Sequence, residues 1–301
     1  MFDNLAEKNY LQLMLFGLVL LFSSLILMGL GYFIGIAVWN EPDVTSALSG
    51  SIDNQIQLQI LKMMQILNQL SMFIIPPLTL YIILRKRIPN YLNLNKAPSL
   101  NNIVGIVLLY ISSLPLIQAS MIINQQMVLP EFMSGVEEWM RDKEDLAAVL
   151  TEKFLTVDTF SGFLLNILMM AILPAIGEEL LFRGLLMRWF EKSIKNIHIV
   201  IIITAFLFSA IHIQFFGFIP RFILGIILGY TYHWSKSLWV PICLHFINNA
   251  TTVTVYYYVN QYNSNINPEE VGTVDNYGYL LFSLIIFAAI IRWLYQNRVK
   301  N

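Results

Sequence analysis

Two adjacent carboxylates and a guanidinium lie in a stretch of chain that is otherwise apolar enough to cross a membrane. Glu178, Glu179 and Arg183 occur within the segment PAIGEELLFRGLLMRWF. Ionised side chains at membrane depth are costly and rare, and they usually face a bundle interior or a watery cavity. Their position therefore predicts a functional site inside the membrane.

Helix geometry predicts different roles for the two glutamates. Consecutive residues point about 100° apart on a helix, whereas residues four apart share a face. Arg183 is therefore expected to pair with Glu179 and keep it ionised, because a buried carboxylate needs a partner. Glu178 is left without that partner, which makes it the better candidate for a base that takes a proton from water.

Three further polar side chains recur inside predicted spans: His212 in FLFSAIH, and His245 and Asn249 in LHFINN. At about 1.5 Å of rise per residue, these three and Glu178 lie roughly 13 to 23 Å from the same membrane face. His245 and Asn249, four residues apart, could present two donors to one point, as an oxyanion hole does. The set predicts acyl hydrolysis by a water that Glu178 and His212 activate.

Other chemistries for the same region are weaker predictions. Ser209 has no nucleophile-elbow motif, and Cys243, the single cysteine, is expected to be a small packing residue. Glu178, His212 and His245 could instead bind a metal, but the sequence lacks HExxH. Intramembrane carboxylates and histidines also occur in the proton relays of transporters, although no internal repeat is visible here.

The composition predicts an integral membrane protein. Of 301 residues, 57% are hydrophobic and only 12% are charged, and the net charge of −1 predicts no basic face for nucleic acid. A spanning helix needs about 20 mostly apolar residues. On that basis we predict an all-α bundle of about eight transmembrane helices, at 11–38, 62–84, 101–128, 160–189, 198–216, 219–234, 238–259 and 277–295. A re-entrant hairpin is the alternative for the fifth and sixth.

The charges of the loops predict the orientation, because cytoplasmic loops carry the excess of Lys and Arg. Basic loops alternate with acidic ones along the chain, so an even number of spans places both termini in the cytoplasm. The basic set is Arg85, Lys86, Arg87, Lys96, Arg188, Lys192, Lys195, Lys236, Arg292, Arg298 and Lys300. The acidic set is Glu41, Asp43 and Asp53, the segment 131–158, and Glu269, Glu270 and Asp275.

We divide the chain into four predicted regions. Residues 1–130 hold the first three spans, and 131–158 form an acidic amphipathic segment that is either an interfacial or lid helix or a simple connector. Residues 159–260 form the catalytic core, and 261–301 hold the last span and a basic tail.

The three polar motifs together resemble a known family. EELLFR at 178–183 is similar to EExxxR, FSAIH at 208–212 to FxxxH, and HFINN at 245–249 to HxxxN. These motifs, in this order, resemble those of the glutamate-type intramembrane proteases that include the CAAX prenyl endopeptidases and the bacteriocin-processing or immunity proteins.

The resemblance implies an eight-helix bundle with a water-filled cavity that cuts a peptide bond near the membrane surface without a metal or other cofactor. It implies Glu178 as general base, His212 as its water-positioning partner, and His245 with Asn249 as oxyanion stabilisers, with Glu179 and Arg183 in support. The implied partners are the lipid bilayer and a peptide or membrane-associated protein substrate, which some family members require to be prenylated. A non-catalytic immunity or scaffold protein remains an alternative.

Overall fold

The computed structural model describes residues 9–50, 52–84, 92–262, 267–268, 272–273 and 276–298, and all regular structure within them is helical. In chain order the helices are α1 (Asn9–Val38), α2 (Glu41–Leu48), α3 (Gln55–Ile83), α4 (Leu100–Gln125), α5 (Ser134–Leu155), α6 (Phe160–Ser193), α7 (Ile197–Ala210), α8 (Phe218–Ser235), α9 (Trp239–Tyr262) and α10 (Tyr277–Gln296). Every predicted span overlaps one of them.

Five of these helices are long and apolar enough to cross a membrane, namely α1, α3, α4, α6 and α10. The chain is therefore a multi-pass membrane protein. α7 is apolar but has only 14 residues, about 21 Å of helix, against a hydrocarbon core of about 30 Å. α8 and α9 contain more polar residues. Their crossing of the membrane, and with it the total of eight spans, stays a prediction.

Wide π turns interrupt α3 and α6, and two of them come just before prolines. Leu70–Ile74 precedes Pro76, and Ile167–Ile172 precedes Pro174. Proline has no N–H for the helical ladder, and its ring crowds the preceding turn, so a widened turn accommodates it. A third π turn, Leu180–Leu186, begins directly after Glu179. Such turns are frequent at functional sites because they change the direction in which side chains point.

α3 and α6 approach closely beside the glutamate pair. A Cβ placed on Gly177 would lie 2.8 Å from the Cβ of Phe73, so a larger residue would push the two helices apart. Gly177 immediately precedes Glu178. The close approach of α3 therefore lies directly beside the glutamate pair in the chain.

The interhelical loops meet at two ends of the bundle. At one end, the Trp239 indole donates to Leu94 O over 2.8 Å, which joins the loop of Lys96 to that of Lys236. At the other, Lys153 donates to Ile52 O over 2.7 Å. The alternation of basic and acidic loops across the membrane stays a prediction. Arg85, Lys86, Arg87, Glu269, Glu270, Asp275 and Lys300 lie outside the described residues.

The prediction of a helix over 198–216 was wrong at its carboxyl end. α7 ends at Ala210, and residues 211–217 form a loop that leads into α8. Ile213 has a φ of +52°, a left-handed conformation that costs a β-branched residue roughly 1 to 2 kcal/mol. We call residues 211–217 the His212 loop. His212 thus lies in a turn and not within a helix.

The acidic segment forms one helix, α5, whose two ends contact different parts of the bundle. Near its amino end, the ring of Trp139 lies 5.4 Å from that of Phe215, and Glu144 Oε2 accepts from the Phe216 N–H over 3.1 Å. At its carboxyl end, the buried Lys62 ammonium donates to Phe154 O and to Asn166 Oδ1, each over 3.0 Å. α5 therefore links the His212 loop to α3 and α6.

Candidate active site

The glutamates and arginine of α6 lie in the interior of the bundle. Glu178 is 4% exposed, Glu179 0% and Arg183 1%. Arg183 Nη1 donates to Glu179 Oε1 over 2.8 Å, so these two residues form the ion pair that their spacing predicts. A buried ion pair offsets its desolvation only when further hydrogen bonds satisfy it. The surroundings of Arg183 supply some of these bonds.

The Arg183 guanidinium is held from α8 and α7. Its Nη2 donates to Gly225 O over 2.8 Å, and its Cζ lies 5.1 Å from the centroid of the Phe208 ring. A Cβ at Gly225 would lie 3.0 Å from the Cα of Ala205, so glycine allows α8 to pack against α7 at this point. This close packing brings the carbonyl of Gly225 to the guanidinium.

His245 on α9 is the second partner of Glu179. Its Nδ1 lies 3.0 Å from Glu179 Oε1, and since an ionised carboxylate only accepts, Nδ1 carries the proton and donates. The other ring nitrogen, Nε2, lies 3.9 Å from Glu178 Oε2, which is beyond hydrogen-bond range. The ring therefore connects the two glutamates: one through a hydrogen bond, the other across a short gap.

Glu178 differs from Glu179 at one carboxylate oxygen. The Oε2 atoms of both residues are buried and accept no hydrogen bond from any residue that the structure describes, but Glu179 Oε1 accepts from Arg183 and His245. A buried polar atom without a partner is unfavourable, and in native proteins it calls for a specific reason such as catalysis or a bound water. Glu178, the carboxylate that does not accept from Arg183 or form a hydrogen bond with His245, is the one that the sequence predicts as a base.

His212 follows the end of α7, and its backbone carbonyl contact determines its tautomer. Nδ1 donates to Phe208 O over 2.8 Å, because a carbonyl can only accept, and this leaves Nε2 as the nitrogen that can act on a substrate or water. His212 interacts electrostatically with both Glu178 and His245. The charge on Glu178 therefore acts on the His212 ring.

The Phe208 ring contacts both histidines. Its centroid is 5.5 Å from that of His212 and 5.7 Å from that of His245, with interplanar angles of 65° and 77°. It also packs edge-on against Phe182 at 5.2 Å. Phe208 therefore packs against both imidazoles and against the Arg183 guanidinium.

Asn249 lies one turn beyond His245 on α9, next to the first π turn of α6. Its Nδ2 donates to Met170 O over 3.1 Å, and its Oδ1 accepts from Asn248 Nδ2 over 3.0 Å. The Met170 carbonyl fixes the orientation of the amide, since it needs a donor. One N–H of Asn249 remains for another acceptor. The neighbouring Asn248 thus donates a hydrogen bond to the Asn249 side chain.

The alternative nucleophiles, Ser209 and Cys243, are both at least partly buried. The Ser209 hydroxyl donates to Phe218 O over 2.7 Å, and Ser209 itself is fully buried. Cys243 is half-buried, and burial is the kind of setting in which a thiol packs and does not react. Among the described residues, no three His, Cys, Asp or Glu side chains are grouped as metal ligands.

An apolar cavity of about 400 Å³ lies beside these residues. Leu181 and Phe182, which follow the glutamate pair, line it together with Ile211, which precedes His212. α1 and α3 supply the opposite wall, with Phe16, Leu20, Met72 and Phe73. The water-filled cavity predicted around Glu178 itself stays a prediction.

Sequence reasoning missed two contacts of this site. The bond between Glu179 and His245 joins residues 66 apart in the chain, and no local periodicity indicates it. The second contact is the hydrogen bond from Arg183 to Gly225 O. Gly225 has no side chain, so its residue type gives no sign of this backbone contact.

Comparisons with known proteins agree with the motifs. The family model described as Type II CAAX prenyl endopeptidase Rce1-like matches residues 160–251, which contain all three motifs, and so confirms the resemblance. The uncharacterized protein YpbD of Bacillus subtilis (strain 168) is 32% identical over 89 residues, a segment that is 28% of this chain and 42% of that protein. The chain thus matches less than half the length of this relative. No solved structure matches the chain significantly.

Proposed function

We propose that the type II CAAX prenyl endopeptidase-like domain at residues 160–251 makes this chain an intramembrane endopeptidase that hydrolyses a peptide bond with an activated water. The family match supports the class of reaction. The arrangement of Glu178, His212 and His245 supports the mechanism. No serine or cysteine nucleophile and no cofactor enter the proposal.

One observation carries the assignment of the base. Both glutamates have a buried Oε2 that accepts no hydrogen bond from the described residues, and that of Glu178 lies 3.9 Å from His245 Nε2. The lone pairs of Glu178 Oε2 are free to accept a proton from water. Glu179 is ill suited to that role, because one of its oxygens already accepts bonds from Arg183 and His245.

In the proposed reaction, a water hydrogen-bonded to Glu178 and His212 Nε2 attacks the carbonyl carbon of the scissile bond. The water proton passes to Glu178, and the carbonyl π electrons move to the oxygen, which becomes an oxyanion. When the tetrahedral intermediate collapses, the C–N bond breaks and the proton on Glu178 passes to the leaving amine. The products are a carboxylic acid and an amine, and the enzyme regains its starting state.

His245 and Asn249 are the proposed donors to the oxyanion. Since Glu179 engages Nδ1 of His245, only Nε2 can serve, and it donates when the ring carries both protons. Asn249 contributes the N–H that Met170 O does not occupy. Donors fixed in advance by other contacts stabilise a developing charge without reorganising, and loss of one such donor typically costs about 100- to 1,000-fold in rate.

The proposed substrate is a peptide or a membrane-associated protein. Both lipidated and unlipidated substrates are compatible with this proposal. The apolar cavity beside Leu181, Phe182 and Ile211 supports an apolar substrate segment near the site. The bilayer is the second partner. We further propose eight spans with both termini in the cytoplasm, and nucleic acid is not a proposed partner.

The decisive experiment compares membranes that contain the wild type with membranes that contain Glu178→Gln. We expect new peptide termini in the membrane proteome that appear with the wild type and disappear with the variant. Cleavage that persists at the wild-type rate in a folded Glu178→Gln variant would exclude Glu178 as the base. An unchanged cellular phenotype together with no altered terminus would instead favour a non-catalytic immunity or scaffold protein.

A further inference from the structure

The His212 loop has little regular structure of its own to hold it. Its internal backbone bonds are single turns, such as His212 N–H to Ser209 O at 3.3 Å and Ile213 N–H to Ala210 O at 3.2 Å. Ile213 adopts a left-handed conformation that such a residue seldom takes without external constraint. Side chains from other helices must therefore maintain the shape of this loop.

Asn124, in the last turn of α4, contacts the loop through both ends of its amide. Nδ2 donates to Phe215 O over 3.0 Å, and Oδ1 accepts from the Ile219 N–H over 2.7 Å. The Ile219 N–H belongs to the first turn of α8, where backbone donors have no partner within the helix. Asn124 is only 2% exposed. One buried amide thus joins the end of the His212 loop to the start of α8.

The loop transmits this constraint to His212. Phe215 is three residues from His212, and at the near end His212 Nδ1 is fixed on Phe208 O. Glu144 from α5 holds the next residue, Phe216, through its N–H, and Arg221 donates to Gln214 O over 3.0 Å. The segment between His212 and Phe216 is therefore held at both ends. A shift of Phe215 would rotate the imidazole about its hydrogen bond to Phe208 O.

We propose that Asn124 is a positioning residue that orients His212 toward Glu178. Asn124 lies in α4, outside the segment that matches the family model, so none of the three motifs includes it. The proposal deepens the proposed function and rests on it for its kinetic consequence. Its structural consequence, a defined orientation of the His212 ring, can be measured without any substrate.

The informative variant is Asn124→Asp in the full-length protein. It keeps an oxygen to accept from Ile219 N–H but replaces the donor to Phe215 O with a second acceptor. Asn124→Ala removes both contacts. The matched control is Ser120→Ala, one turn earlier on the same helix. Within the described part of the chain, the buried Ser120 hydroxyl bonds only to Ile117 O of its own helix, over 2.6 Å.

Two readouts test the proposal in detergent-solubilised protein. The first is the imidazole ¹H–¹³C spectrum, in which the His212 signal is assigned among four histidines with a His212→Gln sample. The second is cleavage of a reporter peptide, with kcat and KM measured separately. We expect Asn124→Asp to shift or broaden the His212 signal and to lower kcat by about 100-fold with KM nearly unchanged, as misplaced catalytic groups do. Ser120→Ala should match the wild type in both.

The outcomes separate this proposal from the proposed function. A His212 signal that moves in Asn124→Asp while no protein cleaves any peptide would support the positioning role and count against the protease. A folded Asn124→Asp protein with a wild-type His212 signal and wild-type kcat would overturn the positioning role alone. Failure of both Asn124 variants to fold would assign Asn124 to the stability of the bundle, which would also overturn it.

Discussion

Glu179 Oε1 accepts from His245 Nδ1 over 3.0 Å and from Arg183 Nη1 over 2.8 Å, so one carboxylate oxygen fixes both a histidine and an arginine. This contact turns Nε2 of His245 toward Glu178. Glu179 is thus more than the partner of Arg183. It sets the direction of the imidazole that the proposed mechanism uses at the oxyanion.

Replacing Glu179 with alanine should destabilise the protein strongly. The change leaves the Arg183 guanidinium buried and without its carboxylate, a loss that typically costs about 3 to 5 kcal/mol. We expect a large fall in the thermal unfolding midpoint and loss of cleavage. The double variant Glu179→Met/Arg183→Met should recover much of the unfolding midpoint, because it removes both charges, but should recover no activity. Equal midpoints for the single and double variants would contradict this account of the ion pair.

Glu178→Gln should abolish cleavage without destabilising the protein. Glutamine has the same shape but cannot take a proton, and general-base catalysis contributes about 100- to 10,000-fold. Since Glu178 Oε2 accepts no hydrogen bond from the described residues, the variant breaks no such bond there. Activity and the thermal midpoint should be measured side by side, with the exposed Glu138→Gln as the control. A midpoint that falls as far as in Glu179→Ala would show that Glu178 has a structural role.

Removal of metal ions should leave the activity intact. In the proposed mechanism the carboxylate and imidazole activate the water, and the described residues offer no group of three metal ligands. We expect the wild type to retain its rate after dialysis against a strong chelator, with metal content checked by mass spectrometry. A rate that falls on chelation and returns with Zn²⁺ would support the alternative in which Glu178, His212 and His245 bind a metal.

Lys62→Met should release the carboxyl end of α5. The ammonium donates to Phe154 O and Asn166 Oδ1, and hydrogen bonds to charged groups are worth about 1.5 to 3 kcal/mol. Methionine retains the length but not the donors. Hydrogen exchange of the amides near Phe154 should become faster. The control is Lys143→Met, at an exposed position of α5, which should leave the exchange of these amides unchanged. Equal exchange in both variants would argue against a link through Lys62.

The amino end of α5 should loosen at low pH. Glu137 accepts from Arg141 over 2.6 Å and from the Leu129 N–H over 2.8 Å, and these bonds lower the pKa of its carboxyl below the ordinary value of 4.5. A carboxyl with a lowered folded-state pKa stabilises the fold above the ordinary value, and this contribution is lost as the pH falls through the lowered one. Exchange of the Leu129 amide should therefore accelerate relative to its intrinsic rate below pH 4.5.

Glu137→Gln provides the control for that titration. The glutamine side chain keeps an acceptor but has no carboxyl proton to gain. Protection of the Leu129 amide should then be the same on both sides of the transition. A pH dependence that persists in this variant would have to come from another group.

Local sequence rules predicted the helices well, since hydrophobic length and helix periodicity depend on neighbouring residues alone. The pair Glu179 and Arg183 is of this kind. The end of α7 was missed because FSAIHIQFF is apolar enough to continue a helix. What stops the helix is a loop held by Asn124 and Glu144, which lie 95 and 72 residues away from their partners in the chain.

By itself, the sequence determined that this is a polytopic helical membrane protein, because the length and composition of the apolar segments fix that. Only the tertiary structure decided which groups meet. It placed His245 on Glu179, left Glu178 Oε2 without a partner and set His212 in a turn against Phe208. These contacts depend on how α6, α7 and α9 pack side by side, and helix packing is a long-range property that spacing along one helix does not encode.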